Sequence, residues 1–215
     1  MIKKFAFTLT EIMVAVGIIG VISAMTVPTL VNNYQKNAYV VQLRKIINDI
    51  ITAGDLYITE NGKQDLSQAI FKVNSPPEEE IDKFVNSKLK VIKTCNSNET
   101  GCFASEKYTS IDREHKVDIT DYFNGQLKQY VLANSAAIYI EPAFISGQDI
   151  KMKLKIIIDT NGVDGPNIGG RDTFVMYLNP DLTFVDTGDL YYCSDSSIGK
   201  NCLNTLMQDG WKMKY

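Results

Sequence analysis

Apolar and polar positions divide the chain into three patterns. From Ile12 to Val31 twenty residues run without a charge, and at about 1.5 Å per residue a helix of that length matches the ~30 Å hydrocarbon core of a bilayer. The run predicts a membrane-spanning helix, entered through Glu11. Past Val31 the run gives way to periodicity. Tyr39, Leu43, Ile46, Ile47, Ile50, Tyr57 and Ile58 fall largely at three- and four-residue spacings, with Gln42, Arg44, Lys45, Asn48 and Asp49 beside them. That pattern predicts an amphipathic helix with one face to bury. Asn61-Gly62 closes it, since both residue types tolerate the left-handed conformation of helix ends. Joined, the halves make one rod from Phe7 to about Glu60, roughly 80 Å long at ~1.5 Å per residue. Gly17, Gly20 and Pro28 weaken its membrane half, because Pro removes a backbone donor and Gly adds freedom, and a bend is expected there.

The third pattern is alternation. From Ala136 onward AIYIEP, KMKLKIIID, TFVMYL and LTFVDT are short runs rich in β-branched and aromatic residues, separated by turn chemistry. In the second run Met152, Leu154, Ile156 and Ile158 point one way and Lys151, Lys153 and Lys155 the other, the signature of a sheet with one wet face. The dry face is free to take the long helix. Asn179-Pro180-Asp181 predicts a tight antiparallel connection between the last two runs. Residues 61 to about 135 are less legible. SPPEEE, Ser75 to Glu80, supplies a Pro pair and then acidic residues for a first helical turn, predicting a short helix through about Leu89. DITDYFNGQLKQYVLANS fits either a helix with a turn at Asn124-Gly125 or two short strands. The fold class is α+β, a long N-terminal helix packed on a C-terminal antiparallel sheet.

Charge adds direction. Lys3 and Lys4 precede the apolar run, which keeps the N-terminus cytoplasmic and sends the rest outward. Lys+Arg total 22 against Asp+Glu 25, a formal charge of −3, and this mildly acidic balance argues against nucleic acid as the default partner. A secretory signal peptide is a poor fit, because residues 22 to 31 hold only a weak small-residue cleavage site. A plain signal anchor leaves Glu11 unexplained, since ionised groups in an apolar run are costly.

Ala6-Phe7-Thr8-Leu9-Thr10-Glu11 supplies the missing account. A short basic leader, a small residue, Phe, and then Glu opening an apolar helix resembles the leader junction of type IV prepilins and type II secretion pseudopilins. The motif covers roughly the first 30 residues, and Ala6 stands where the commonest pattern has Gly. The resemblance implies that a prepilin peptidase cuts between Ala6 and Phe7 and N-methylates Phe7. It implies a pilin-like fold with a leader over 1–6, a transmembrane assembly helix over 7–31 and its amphipathic half over 32–60. An exported globular α+β domain over 61–215, with a C-terminal disulfide loop, completes the plan. It implies residence in the bacterial inner membrane with a periplasmic domain, and then assembly with other pilin or pseudopilin subunits. In that setting Glu11 is expected to pair with the Phe7 amine of an adjacent subunit, and Pro28 marks where such helices can unwind. Chain length and cysteine content favour a minor subunit over the bulk fibre protein.

Four cysteines form two local pairs, Cys95 with Cys102 and Cys193 with Cys202, on the exported side where oxidation is allowed; three connectivities are open. Spacings of six and eight residues are not those of zinc modules. The second pair would bound a surface loop like that of type IV pilins. Asp159, Asn161, Asp164 and Asp172 lie in DTNGVDGPNIGGRDTF and are oxygen donors of the type calcium prefers. The loop is no EF-hand, since Asp164 stands where the invariant Gly belongs and the bidentate Glu is missing. Two readings stay open: a hairpin loop whose side chains bond its own backbone, or a calcium site, as some pseudopilins carry near their C-terminal loops. His115 sits in the charged stretch Asp112 to Lys116 and reads as solvated loop, and no catalytic motif is present. For an exported enzyme the sequence offers no catalytic residue, and a DNA- or surface-binding module would have to rely on the row Lys151, Lys153, Lys155. Trp211 is expected at a domain edge.

Overall fold

Between Leu9 and Glu60 the chain is one uninterrupted α-helix of 52 residues, α1, with Pro28 inside it. The structure, a computed structural model, describes residues 8–72, 75–96, 99–123, 127–144, 152–186, 193 and 199–215. Residues through Ala38 form one compact unit and Tyr39–Tyr215 a second. In the first, the apolar side chains of α1 are exposed, Met13, Ile18, Ile19 and Leu30 among them. Among the described residues, α1 alone is long and apolar enough to cross a membrane.

From Tyr39 the helix has a buried face. Val40, Leu43, Ile46, Ile47, Ile50, Ala53, Gly54 and Tyr57 line it, the three- and four-residue recurrence of a single stripe. Gly54 admits the chain closely, since a Cβ there would fall 2.5 Å from Leu182 Cδ2. α1 ends as a Schellman motif: the Gly62 amide donates to the Thr59 carbonyl and the Lys63 amide to the Ile58 carbonyl, with Gly62 at φ +61.

Two short helices follow. α2, Leu66–Ile70, is capped by Asp65, whose carboxylate accepts the Gln68 amide. α3, Pro77–Lys88, opens on Pro, carries Glu78, Glu79 and Glu80 in its first turn and Lys88 in its last, so its charges oppose the helix dipole. Glu80 turns inward, accepts from the Lys72 ammonium at 2.7 Å and from the Tyr57 hydroxyl at 3.0 Å, and ties α3 to α1. Lys72 holds its carboxyl below the ordinary range, against the opposing effect of burial.

The remaining strands are β1 Val91–Cys95, β2 Tyr108–Thr109, β3 Lys116–Val117, β4 Gln129–Leu132, β5 Ala137–Phe144, β6 Met152–Asp159, β7 Thr173–Leu178 and β8 Phe184–Val185. A 3₁₀ turn, Ile119–Tyr122, precedes β4, and α4, Cys202–Gln208, follows β8. The main sheet has the order β1-β4-β5-β6-β7-β8 and every pairing is antiparallel. One face, through Ile138, Ile140, Ile156, Ile158, Phe174 and Met176, packs with α1, α3 and α4 into the larger core.

The second face differs from the one-wet-face expectation. Tyr139, Ile157 and Val175 point there and are covered by a smaller core of Cys95, Cys102, Phe103, Tyr108, Ile119 and Leu127, with Phe123 stacked on Tyr139 at 4.3 Å between ring centroids. The reason lies in Ile156-Ile157-Ile158, a contiguous apolar run of the kind buried on both faces. Lys155 stands opposite Glu141 in the ladder, pairs with it at 2.7 Å and donates to the Tyr122 carbonyl. The row of three lysines is thereby broken, and Lys151 lies outside the described residues. β1 and α2 were not expected from the sequence. Of the two readings for residues 118–135, a 3₁₀ turn and one strand emerge, while Asn124-Gly125 lies outside the described residues.

Candidate functional site

The N-terminal junction is the first candidate, and Ala6 and Phe7 lie outside the described residues. At the helix start the Thr8 amide and hydroxyl both donate to Glu11 Oε2, each at 2.8 Å, and the Glu11 amide donates back to Thr8 Oγ1 at 3.3 Å. This is a capping box, Thr-x-x-Glu, which satisfies helix-start amides and places a carboxylate at the positive end of the dipole. The signature is legible in Thr8-Leu9-Thr10-Glu11, and the assembly reading of Glu11 overlooked it. Both Thr8 bonds run to Oε2. Further along, a Cβ at Gly17 or Gly20 would meet nothing within 4 Å, and the Thr26 hydroxyl donates to the Ile22 carbonyl at 2.9 Å, two residues before Pro28. Burying one such apolar side chain is worth about 1.5–3 kcal/mol, so this surface calls for lipid or neighbouring helices.

The second candidate is the loop between β6 and β7. Asp159 Oδ1 accepts from the Asn161 and Gly162 amides, at 3.2 and 3.0 Å, and Oδ2 accepts from the Tyr108 hydroxyl at 2.6 Å. Asp172 Oδ2 accepts from the Asn167 amide at 2.8 Å and Oδ1 from the Ile168 amide at 2.6 Å. Both aspartates are fully buried. Burial pushes the Asp159 carboxyl well up, with the charge of Asp172 adding to it. Burial also pushes Asp172 up, to about 6, against the backbone amides that favour its anion. The Asn161 side-chain amide donates to the Gly165 carbonyl at 2.8 Å and to that of Asp164. Gly162, at φ +65, lies where a Cβ would strike the Ser135 carbonyl at 2.4 Å.

Of the four residues named from sequence as calcium ligands, Asp159 and Asp172 are buried and accept from N–H and O–H donors, Asp164 is exposed, and Asn161 donates its nitrogen to carbonyls while its Oδ1 is buried without a hydrogen-bond partner among the described residues. Among the described residues no group of three or more His, Cys, Asp or Glu side chains is placed to hold a metal. The arrangement is that of a loop braced by its own carboxylates, which secures Tyr108 and hence the smaller core.

That loop also seats the C-terminal disulfide. Both cysteine pairs are local, Cys95–Cys102 and Cys193–Cys202. Gly170, at φ +74, faces the second one: a Cβ there would fall 2.6 Å from Cys202 Sγ and 3.0 Å from Cys193 Sγ. The Tyr215 hydroxyl donates to the Gly170 carbonyl at 2.7 Å. Asp186 accepts the Asn204 amide at 2.7 Å near the start of α4, and burial raises its carboxyl to about 6. Trp211 is half-buried at the edge of the larger core, with the Arg44 guanidinium 5.1 Å from its ring. His115 is exposed and faces Asp112 at 3.3 Å.

No protein-family model matches the chain, and no solved structure matches it. Among curated proteins it is similar to the type II secretion system core protein G of Klebsiella michiganensis, with 35% identity over 80 residues, 34% of this chain and 54% of that protein. The chain thus spans about half the length of the curated relative it matches.

Proposed function

We propose that this chain is a structural subunit, of the minor kind, of a type IV pilus or a type II secretion pseudopilus. The observation that carries the reading is the division of α1. One continuous helix presents charge-free, exposed apolar side chains in its first part and a buried stripe packed on an antiparallel sheet from Tyr39 onward. A helix of this kind anchors a domain in a membrane and then serves as an assembly surface. Similarity to core protein G of a type II secretion system supports the same reading.

In this account prepilin peptidase cleaves between Ala6 and Phe7 and N-methylates Phe7. Residues 7–31 hold the subunit in the inner membrane with its domain on the periplasmic side, and neighbouring pilin or pseudopilin subunits receive it into a filament. Gly17, Gly20 and Pro28 form the segment that yields on assembly. Intact-mass measurement of the membrane form tests the reading: the expected species begins at N-methylated Phe7, and a chain still beginning at Met1 overturns it.

A further inference from the structure

Two surface features at opposite ends of α3 are complementary. The first is a groove of about 310 Å³ between α1, the end of α3 and the β4–β5 turn. Its floor is apolar, with Ala53, Leu89 and Leu132 buried and Leu56 half exposed. Its rim carries Lys45, Lys88 and Lys90 against one acid, Asp49. Lys88 is paired with Glu60. Lys45 and Lys90 are exposed and make no ion pair among the described residues, in a chain whose formal charge is −3.

The second feature is the start of α3. Pro76 is exposed and Pro77 half-buried, and Glu78 and Glu79 stand exposed beside them, without an ion pair among the described residues. Glu80 is spent on Lys72 and Tyr57. A Pro pair is rigid before binding, so presenting it costs little conformational entropy. This knob offers apolar rings flanked by two carboxylates, and the groove offers an apolar floor flanked by two unpaired ammonium groups.

We propose that the groove receives the Pro76–Glu79 knob of a second copy of this chain. The two features are about 14 Å apart along α3, at ~1.5 Å per residue, so the contact joins different patches of two copies. Such a heterologous contact does not close on itself, so the few copies of a minor subunit can stack head to tail through it. The inference rests on the filament-subunit reading and names one of its contacts.

Charge reversal on the full chain in detergent micelles tests it, with self-association followed by sedimentation at low salt. Glu78→Lys with Glu79→Lys, and separately Lys45→Glu with Lys90→Glu, should each weaken self-association roughly tenfold. Mixing the two variants should restore it, because the reversed knob of one then fits the reversed groove of the other. Reversals without effect, or a mixture that stays weak, overturn the groove contact while the Phe7 mass measurement still stands as the separate test of the subunit reading. A wild-type chain that does not self-associate overturns it as well. So does loss of binding to phosphatidylglycerol vesicles in the lysine reversal with unchanged self-association, since the groove then faces lipid.

Discussion

Asp159 and Asp172 show what single residues contribute here and how far their types could be read. Their position in a loop rich in Gly, Asn and Asp signals self-bonding turns, and the Asn161 and Gly162 amides on Asp159 are that chemistry. The Tyr108 hydroxyl on Asp159 comes from 51 residues away, and no local pattern announces such a partner. Burial has a consequence in pH. Asp172 titrates at about 6 in the folded protein and at about 3.9 in an unfolded chain, so the folded state binds the proton more readily. Its contribution to stability is fully present below about pH 4 and is lost as the pH rises through about 6, on the order of 2–3 kcal/mol. Asp186, also raised to about 6 by burial, acts in the same direction. Glu80, held low by Lys72, acts oppositely, and its contribution is lost as the pH falls below the ordinary carboxylate range. The full chain in micelles should therefore melt highest near pH 4, and Asp172→Asn should flatten the decline between pH 4 and 6. Because the loop carboxylates already serve N–H donors, a calcium chelator is expected to leave the melting temperature unchanged; a drop on chelation, abolished by Asp159→Ala, would restore the calcium reading.

Elements were legible where one signal dominated. The apolar run and the later stripe located α1, Asn61-Gly62 its end, and Ser75 to Glu80 the start of α3. Strands β5, β6, β7 and β8 followed from their β-branched and aromatic runs, β8 as the two-residue core of LTFVDT. Short elements held by tertiary contacts were not legible. α2 has five residues and β2 and β3 two each, too few for any period to register. The covered second face of the sheet escaped because the lysines at the start of β6 announce a wet face while Ile157, deeper in the strand, is buried. The cysteine pairs were named, but what seats the C-terminal one was not: Gly170, at φ +74, leaves no room for a side chain between its backbone and the sulfurs. Gly170→Ala should destabilise the Tyr39–Tyr215 unit by about 1–3 kcal/mol, from the positive φ and the contact with Cys202 Sγ together. Thermal melting of the full chain measures it. If the contact with the disulfide contributes, the penalty should shrink when Cys193 and Cys202 are both replaced by Ser; an equal penalty in that background would assign it to the backbone alone.

At the scale of the whole molecule, Glu11 carries two accounts that make different predictions. In the chain by itself the carboxylate closes a capping box with Thr8, a sufficient reason for Glu at this position. In the proposed filament it also meets the Phe7 amine of a neighbouring subunit, which neutralises two charges that an apolar environment penalises. The two roles are compatible, because both Thr8 bonds go to Oε2. They separate under substitution. A capping box accepts Gln in place of Glu, so Glu11→Gln keeps the helix start and removes the charge, whereas Thr8→Ala removes the hydroxyl of the cap and keeps the charge. If assembly depends on the ion pair, Glu11→Gln and Glu11→Ala should insert in the membrane and fold their exported domains as wild type does, yet fail to enter filaments or bind neighbouring subunits. Thr8→Ala should enter at near wild-type levels. Incorporation is read by quantifying each variant in sheared filament fractions against its level in membranes. Should Glu11→Gln incorporate as wild type while Thr8→Ala fails, Glu11 serves its own helix and the intersubunit pair does not exist.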